Sequence, residues 1–296
     1  MKYLSVTETA KKWNISVRSV RNYCALGKVN GAFLTGKTWA IPEDAQKPDR
    51  ANKKVELPTT LLEVLTAEKK AKLSGGIYHK VQIELTYNSN HIEGSRLTHD
   101  QTRYIFETNT IGIDGGTVKV DDIVETANHF KCIDLIIENA KKPITETVIK
   151  ELYRTLKSGT TDARQDWFAV GDYKRLPNTV GDMFTAQPEE VAGKMKELLF
   201  EYNTKKEKAF DDLLDFHYKF ECIHPFQDGN GRIGRLLLFK ECLKYNIVPF
   251  IIDEELKLFY YRGLKEWTNE RGYLRDTCLM AQDKFKLYLD YFKVQY

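Results

Sequence analysis

Hydrophobic side chains recur every three or four residues through most of the chain after residue 59, which is the period of helices that bury one face. The predicted helices span residues 59–73, 76–92, 98–109, 120–140, 145–157, 188–204, 209–222, 231–245, 254–267 and 273–293. The stretch 159–186 lacks this period and is rich in turn residues, so we expect a small exposed hairpin there. The body is therefore predicted to be mainly α, with antiparallel helices joined by short connections.

The first 50 residues follow a different pattern. Residues 5–13 and 17–26 predict two short helices across a tight turn, and residues 29–34 and 38–41 predict a hairpin after them. This order is typical of a winged helix-turn-helix, and it resembles the small module of excisionase and MerR-like proteins. The predicted division is a winged helix-turn-helix at 1–46, a polar linker at 47–58 and a helical domain at 59–296.

Charge is distributed unevenly between these parts. Residues 1–50 carry nine Lys or Arg and four Asp or Glu, a net charge of +5, whereas residues 51–296 carry a net charge of −2. A basic module on a near-neutral body suggests a polyanion partner such as double-stranded DNA, although a basic surface without a partner is the alternative. The candidate DNA-binding residues are Arg18, Arg21 and Asn22 on the second helix and Lys37 in the wing.

Composition narrows the class of protein. Hydrophobic residues make up 42% and charged residues 29%, as in ordinary soluble globular proteins, and no apolar run approaches the ~18 residues of a membrane-spanning helix. The five cysteines form no CxxC pair, and residues 1–25 show no apolar segment of a signal peptide. We therefore expect a cytoplasmic protein with reduced, mostly buried thiols and no membrane partner.

Residues 31–38, GAFLTGKT, match the P-loop pattern letter for letter. A P-loop needs a buried strand before it and a long helix after it. Here Pro42 follows within a few residues and would stop such a helix, so we interpret the segment as the turn of the wing.

The segment His224-Pro225-Phe226-Gln227-Asp228-Gly229-Asn230-Gly231-Arg232-Ile233-Gly234-Arg235 concentrates chemistry between two amphipathic helices. A glycine-rich turn that enters a helix N-terminus is an anion site, because unpaired N–H groups and the helix dipole point the same way. Arg232 and Arg235 lie three residues apart and suit a polyphosphate. Each residue alone has an ordinary structural explanation, but together they favour a phosphate-handling site.

Three further residues of this segment could bind a metal ion, orient a phosphate or accept a proton. Asp228 can hold Mg²⁺ that is bridged to phosphate oxygens, since that ion prefers hard oxygen ligands. Asn230 can orient a phosphate by hydrogen bonds. His224 titrates near neutral pH and can accept a proton from an attacking hydroxyl.

The segment resembles the signature of Fic-domain proteins, HPFxDGNGRxxR, at every fixed position. The resemblance implies a Fic-type helical bundle over residues 60–296 with a small hairpin flap near 171–188, and transfer of AMP from ATP to a Ser, Thr or Tyr hydroxyl. It implies His224 as general base, Asp228 as Mg²⁺ ligand, and Gly229, Asn230 and Gly231 as the phosphate cradle. It also implies that Arg232 supports the transferred or leaving phosphate and that Arg235 holds the γ-phosphate. Gly231 favours AMP transfer, because relatives that phosphorylate carry Lys there.

An upstream segment, Ser89-Asn90-His91-Ile92-Glu93-Gly94, resembles the inhibitory motif [ST]xxxE[GN] of that family, on an inhibitory helix near residues 83–94. Ser89 and Glu93 are four residues apart and share a helix face. A Glu93 carboxylate paired with Arg235 would compete with the γ-phosphate by charge and by volume. The alternative is a chance match on an exposed helix.

The sequence leaves several functions open. The main hypothesis is an autoinhibited protein adenylyltransferase whose target is an unknown protein or the chain itself, and family resemblance suggests a homodimer. Relatives with this glutamate can also remove AMP. A third alternative is a transcriptional regulator whose helical body only senses nucleotide. Tyr260 and Tyr261 are candidates for an adenine pocket, with ordinary packing as the equal alternative.

Overall fold

The computed structural model of this chain describes residues 2–48, 59–113, 116–181 and 183–296. The chain folds as two compact units, Met1–Leu57 and Pro58–Tyr296. Of the linker predicted at 47–58, residues 49–58 lie outside the described residues.

The first unit combines two helices with a small sheet. Its elements are β1 (Tyr3–Ser5), α1 (Val6–Trp13), α2 (Val17–Ala25), β2 (Phe33–Thr35) and β3 (Thr38–Pro42). The strands form an antiparallel sheet in the order β1-β3-β2. Val6, Trp13, Val20 and Ile41 are among the residues of its small core. The segment that matches a P-loop forms β2, a turn at Gly36 and the start of β3, and no helix follows it directly.

The second unit is mainly helical, as predicted, and includes the expected hairpin. Its elements are α3 (Leu61–Ala71), α4 (Ile77–Ile92), α5 (His99–Thr108), α6 (Val120–Glu138), α7 (Glu146–Lys157), a short 3-10 helix (Asp162–Arg164), β4 (Thr179–Val180), β5 (Met183–Phe184), α8 (Pro188–Thr204), α9 (Phe210–Ile223), α10 (Asn230–Tyr245), α11 (Lys257–Lys265) and α12 (Gly272–Phe292). The two strands pair antiparallel.

Helix α10 is the centre of this unit. Almost all of its residues are buried, including polar ones, which is typical of a helix that is surrounded on all sides. Helices α3, α4, α6, α7 and α9 pack against it. This arrangement brings the ends of several helices to the N-terminus of α10, where the signature segment lies.

Local chemistry sets most of the boundaries. Thr98 and Gln101 form a reciprocal capping box at the start of α5, and Pro188 occupies the first turn of α8. Helix α3 ends at Ala71 rather than residue 73, because Lys72 adopts the left-handed conformation that stops a helix. None of the helices in the described residues is long and apolar enough to span a membrane.

Candidate phosphate-handling site

A rigid loop joins α9 to α10. His224 ends α9 with φ of 51°, and Gly229 precedes α10 with φ of 79°, a conformation that suits glycine. The Asn230 side chain donates to the backbone oxygen of Phe226 and accepts from its N–H, both at 2.8 Å. Its amide is therefore occupied in holding the loop, so any phosphate contact from Asn230 would come from its backbone N–H.

The first turn of α10 forms an anion-binding concavity. The first hydrogen bond of the helix runs from the N–H of Ile233 to the oxygen of Gly229 at 3.0 Å. The N–H groups before it, at residues 230–232, have no partner within the helix and lie at its positive end. A side chain at Gly231 would place its Cβ 2.3 Å from Glu93 Oε1, so the glycine permits a close approach of the two segments.

A charged cluster lies on one side of this turn. Arg232 and the almost fully buried Lys157, at the end of α7, both bind Glu125 of α6. Both also bind Asp228 Oδ2, Lys157 at 2.8 Å and Arg232 at 3.0 Å. Asp162 Oδ2 also lies 3.6 Å from the Lys157 ammonium. Carboxylates thus compensate both cations, which makes their burial tolerable.

The Asp228 carboxylate suits a cation that is shared with a phosphate chain. Burial favours its neutral form, but Arg232 and Lys157 outweigh that effect and lower the pKa of Asp228 to about 2. The side chain is half exposed. One ionised, accessible carboxylate fits Mg²⁺, which commonly takes one or two protein carboxylates together with substrate phosphates. Among the described residues no cluster of three or more His, Cys, Asp or Glu side chains is placed to hold a metal by itself.

Arg235 is held on the other side of the turn by the end of α4. Its Nη2 lies 2.7 Å from Glu93 Oε1 and 2.9 Å from the backbone oxygen of Ser89, and its Nε lies 3.0 Å from Ser89 Oγ. The guanidinium is buried, and burial lowers the pKa of Arg235. The Glu93 carboxylate outweighs that effect, so the pKa is raised overall. Glu93 caps α4 and Gly94 follows it with φ of 93°, so the glycine turns the chain away directly after the carboxylate.

His224 lies near this turn with its imidazole mostly buried. Burial and then the nearby Lys174 ammonium lower the pKa of His224 to about 4. The imidazole is therefore neutral at physiological pH, which is the state that a proton acceptor requires.

A hairpin segment lies beside the same loop. The N–H of Lys174 donates to the oxygen of Pro225 at 2.9 Å, and Asn178 Nδ2 donates to the oxygen of Phe226 at 2.9 Å. Val180 and Gly181, at the end of β4, border a cavity of about 490 Å³ between α9 and α11. Its lining comprises Val180, Gly181, Tyr218, Glu221, Cys222, Tyr261, Leu264 and Lys265. Tyr260 is buried and bonded to His217, so of the two tyrosines singled out in the sequence only Tyr261 lines this cavity.

Three site residues have no signal in the local sequence. Glu125, Lys157 and Lys174 lie far along the chain from the signature segment, and each reaches it only through the packing of the helices or the hairpin. A lysine at the end of an amphipathic helix, such as Lys157, is usually exposed to solvent and interacts with the negative end of the helix dipole.

The candidate DNA-binding residues lie on the first unit. Arg18, Arg21 and Asn22 are exposed on α2, whose Val20 and Cys24 are buried. Lys37 is exposed in the turn between β2 and β3. The basic side chains thus lie on the open side of α2, where its hydrophobic pattern places them.

Comparisons with known proteins agree with the geometry of the second unit. Residues 143–241 match the model of the Fic/DOC family. Proteins named Protein adenylyltransferase Fic are 27% identical over 230 residues in Drosophila mojavensis and 28% identical over 226 residues in Aedes aegypti. Each alignment covers 75% of this chain, and 42% and 43% of those proteins respectively, so the chain spans less than half the length of these curated relatives.

A solved structure provides a further comparison. The Fic domain-containing signaling protein from Bacteroides thetaiotaomicron has a TM-score of 0.59 and 28% identity, covering 78% of this chain and 90% of that one. Together with the signature segment at the start of α10, these similarities support a Fic-domain protein with a mainly helical Fic fold.

Proposed function

We propose that this protein is an autoinhibited protein adenylyltransferase, which transfers AMP from ATP to a hydroxyl of a protein, either another chain or itself. The observation that carries the proposal is the engagement of Arg235 by Glu93 and Ser89, beside an anion-binding helix N-terminus and a neutral histidine. An arginine poised for phosphate but occupied by a carboxylate is the arrangement expected of a restrained phosphate site.

The helix turn and its arginines supply the nucleotide contacts. Backbone N–H groups at 230–232 would donate hydrogen bonds to phosphate oxygens, and Arg232 and Arg235 are placed for further charge-assisted bonds. Asp228 would hold Mg²⁺, which supplies charge neutralisation on the phosphates. The cavity beside Tyr261, at about 490 Å³, is large enough for an adenosine group. Positioning and charge compensation are the main protein contributions in such transfers.

His224 would act as the proton acceptor. The hydroxyl proton of the target moves to the exposed nitrogen of the imidazole, the hydroxyl oxygen forms a bond to the α-phosphorus, and the bond to the β-phosphate oxygen breaks. Diphosphate leaves with the electron pair of that bond. Because the pKa of His224 is lowered to about 4, the imidazole is free to accept the proton at pH 7.

Glu93 would act as the brake by two effects. Its carboxylate already satisfies the Arg235 guanidinium at 2.7 Å, and the same oxygen lies against Gly231 in the first turn of α10. A γ-phosphate near Arg235 would meet a like charge in a buried setting, which is strongly unfavourable. ATP is then expected to bind weakly, or with its α-phosphate out of line for attack.

The first prediction concerns removal of the brake. We expect Glu93→Gly protein, incubated with ATP and Mg²⁺, to gain the mass of AMP at least about tenfold faster than wild type, because removing a carboxylate from the phosphate site recovers binding energy of more than ~1.4 kcal/mol. Intact-mass spectrometry with acceptor protein, or with the chain as its own acceptor, measures the gain.

Two controls make that experiment decisive. Glu93→Gly/His224→Ala should lose the gain, and Glu266→Gly, which changes another helix-capping glutamate at the end of α11, should behave as wild type. Labelling of the His224→Ala double variant at the rate of Glu93→Gly would contradict the assignment of the base.

Removal of AMP is the second candidate activity. Glu93 lies within the proposed phosphate site, where its carboxylate could position a water molecule for hydrolysis. If this activity dominates, Glu93→Gly protein that carries AMP should lose that mass when wild-type protein is added. An unchanged AMP load over the same period would exclude it.

A DNA-binding role is proposed for the first unit. The support is its exposed basic residues on α2 and in the turn between β2 and β3, in a module whose charge is +5 over residues 1–50. A pure nucleotide-sensing regulator would bind DNA in the same way but would transfer no AMP even after Glu93 is replaced.

A further inference from the structure

A row of mostly buried polar side chains runs along α9 toward the proposed base. His217, Glu221 and His224 are spaced by four and three residues, so they share one face of the helix. His217 Nδ1 lies 3.9 Å from Glu221 Oε1, and Glu221 Oε2 lies 4.0 Å from His224 Nδ1. Both separations exceed a hydrogen bond by about 1 Å.

Three atoms of this row lack partners. His217 Nδ1, Glu221 Oε1 and His224 Nδ1 are buried and have no hydrogen-bond partner in the part of the chain that the structure describes. Leaving a buried polar group unpaired costs roughly 1–3 kcal/mol, so several in one row call for an explanation. The Glu221 carboxyl group lies within 4.0 Å of both unpaired ring nitrogens.

Helix α10 leaves room for this carboxyl group. A Cβ at Gly234 would lie 2.4 Å from Glu221 Oε1 and 2.9 Å from His217 Nδ1. Gly234, which occupies a variable position of the signature, therefore makes space for the pair. Behind it, the buried Tyr260 hydroxyl lies 2.5 Å from His217 Nε2, which fixes the far end of the row.

We propose that Glu221 is a positioning residue for His224, whose carboxyl accepts the Nδ1–H of the imidazole and thereby keeps the opposite nitrogen free to receive the target proton. This inference rests on the proposed transfer activity. Above the pH at which Glu221 ionises, its carboxylate also stabilises the positive charge that His224 gains when it takes the proton. The logic is that of a base held in one tautomer by a third group.

The electrostatics of the row determine at which pH Glu221 is ionised. Burial raises the pKa of Glu221 to about 8, and Glu93 raises it further while Arg235 lowers it. The charged and titratable groups around Glu221 are Arg235, Glu93, His217, Tyr260 and Tyr261. Those around His224 are Lys174, Glu93 and Asp228. The backbone carbonyl of Glu221 also raises the pKa of His224 and is the competing acceptor.

The test combines a spectroscopic and a kinetic measurement on the full chain. In nitrogen-15 NMR of the imidazoles, we expect the His224 signals of wild type to change as pH passes through about 8, when Glu221 ionises beside them. Glu221→Gln should lose this change. Burial also lowers the pKa of Lys174 to about 8, so this lysine could titrate in the same range. Lys174→Met should keep the change in the His224 signals, which excludes Lys174 as its source.

The kinetic arm uses the Glu93→Gly background. Glu221→Ala should lower kcat for AMP transfer by about tenfold or more, and Glu221→Gln, which keeps an acceptor oxygen, should recover part of kcat. Glu241→Gln, which changes a buried glutamate bound to Lys240 and Tyr202, controls for general loss of stability.

The outcomes separate this inference from the proposed function. His224 signals that are unchanged in Glu221→Gln would overturn it and leave the backbone carbonyl of Glu221 as the orienting group. A lost pH response supports it even if no variant transfers AMP, in which case only the proposed activity fails.

Discussion

At the scale of single residues, buried histidines control how stability depends on pH. The pKa of His129 and of His217 is lowered to about 3, and that of His224 to about 4, in each case chiefly by burial. Between these values and the ordinary value of 6.5 the unfolded chain binds more protons than the folded one, so stability rises with pH in this window. Glu221 acts in the opposite sense, because its raised pKa makes the folded state the stronger proton binder between 4.5 and about 8.

The net effect is a prediction about acid sensitivity. The three histidines make the unfolded state bind about three more protons than the folded state, and the glutamate cancels about one of them. The free energy of unfolding should therefore fall by roughly 2.7 kcal/mol per pH unit as pH drops from 6 to 5. Urea unfolding followed by far-ultraviolet circular dichroism measures this slope. His129→Gln should reduce it by about one proton, and a slope that does not change would contradict the assignment.

The residues that sequence reasoning identified are those that share a short segment. His224, Asp228 and Arg235 fall within twelve positions, so their spacing alone predicts a common site. Glu125, Lys157 and Glu221 were not identified, because their proximity to that segment depends on helix packing that a linear pattern does not encode. Asn230 was identified, but its amide binds the loop backbone, a role that its identity could not reveal.

At the scale of elements, the docking of α4 on α6 decides where Glu93 lies. Thr86 Oγ1 lies 2.9 Å from His129 Nδ1, and Asn90 Nδ2 donates to Thr126 Oγ1 at 3.1 Å, both in buried surroundings. These bonds hold the last turns of α4 against α6. The brake is therefore a property of a helix interface as well as of one carboxylate.

This interface yields a graded prediction. Thr126→Val leaves the Asn90 amide without its partner, at a cost of about 1–3 kcal/mol, and should raise AMP transfer above wild type but below Glu93→Gly. Thr277→Val, which removes a buried hydroxyl on α12, is the matched control. Transfer at the wild-type rate in Thr126→Val, with the same loss of stability as the control, would restrict the brake to the Glu93 contact.

Helix boundaries were largely accessible from sequence, and so was the hairpin of the first unit, whereas the first strand of its sheet was not. Caps such as Thr98 and Pro188 act within one turn, so their effects can be read locally. Strand β1 was missed because its three residues gain their conformation by pairing with β3, about forty residues away. Similarly, the hairpin after residue 159 was expected, but its strands of two residues each were too short to locate.

At the scale of the whole molecule, the charge difference between the units leads to a prediction about DNA. The chain should bind double-stranded DNA with an affinity that falls linearly on a log–log plot against salt, by a slope of about −0.9 for each phosphate contacted. Arg18→Ala/Arg21→Ala should flatten that slope by up to about two units. Fluorescence anisotropy across a salt series measures it, with Lys141→Ala/Lys142→Ala in the second unit as the control.

A slope that is the same in wild type and in Arg18→Ala/Arg21→Ala would assign the DNA contacts elsewhere. Binding that is absent at low salt would leave the basic module without a polyanion partner.

Competition between Glu93 and a nucleotide for Arg235 affects how the protein responds to nucleotide concentrations. Under the proposed function, only the terminal phosphate of ATP competes with Glu93 for that guanidinium. ADP lacks this group and would occupy the rest of the site without displacing the carboxylate. The restrained protein would then hold ADP more readily than ATP, and the fraction of chains able to react would follow the ratio of the two nucleotides. A single ion pair would in this way make the protein a sensor of cellular energy charge.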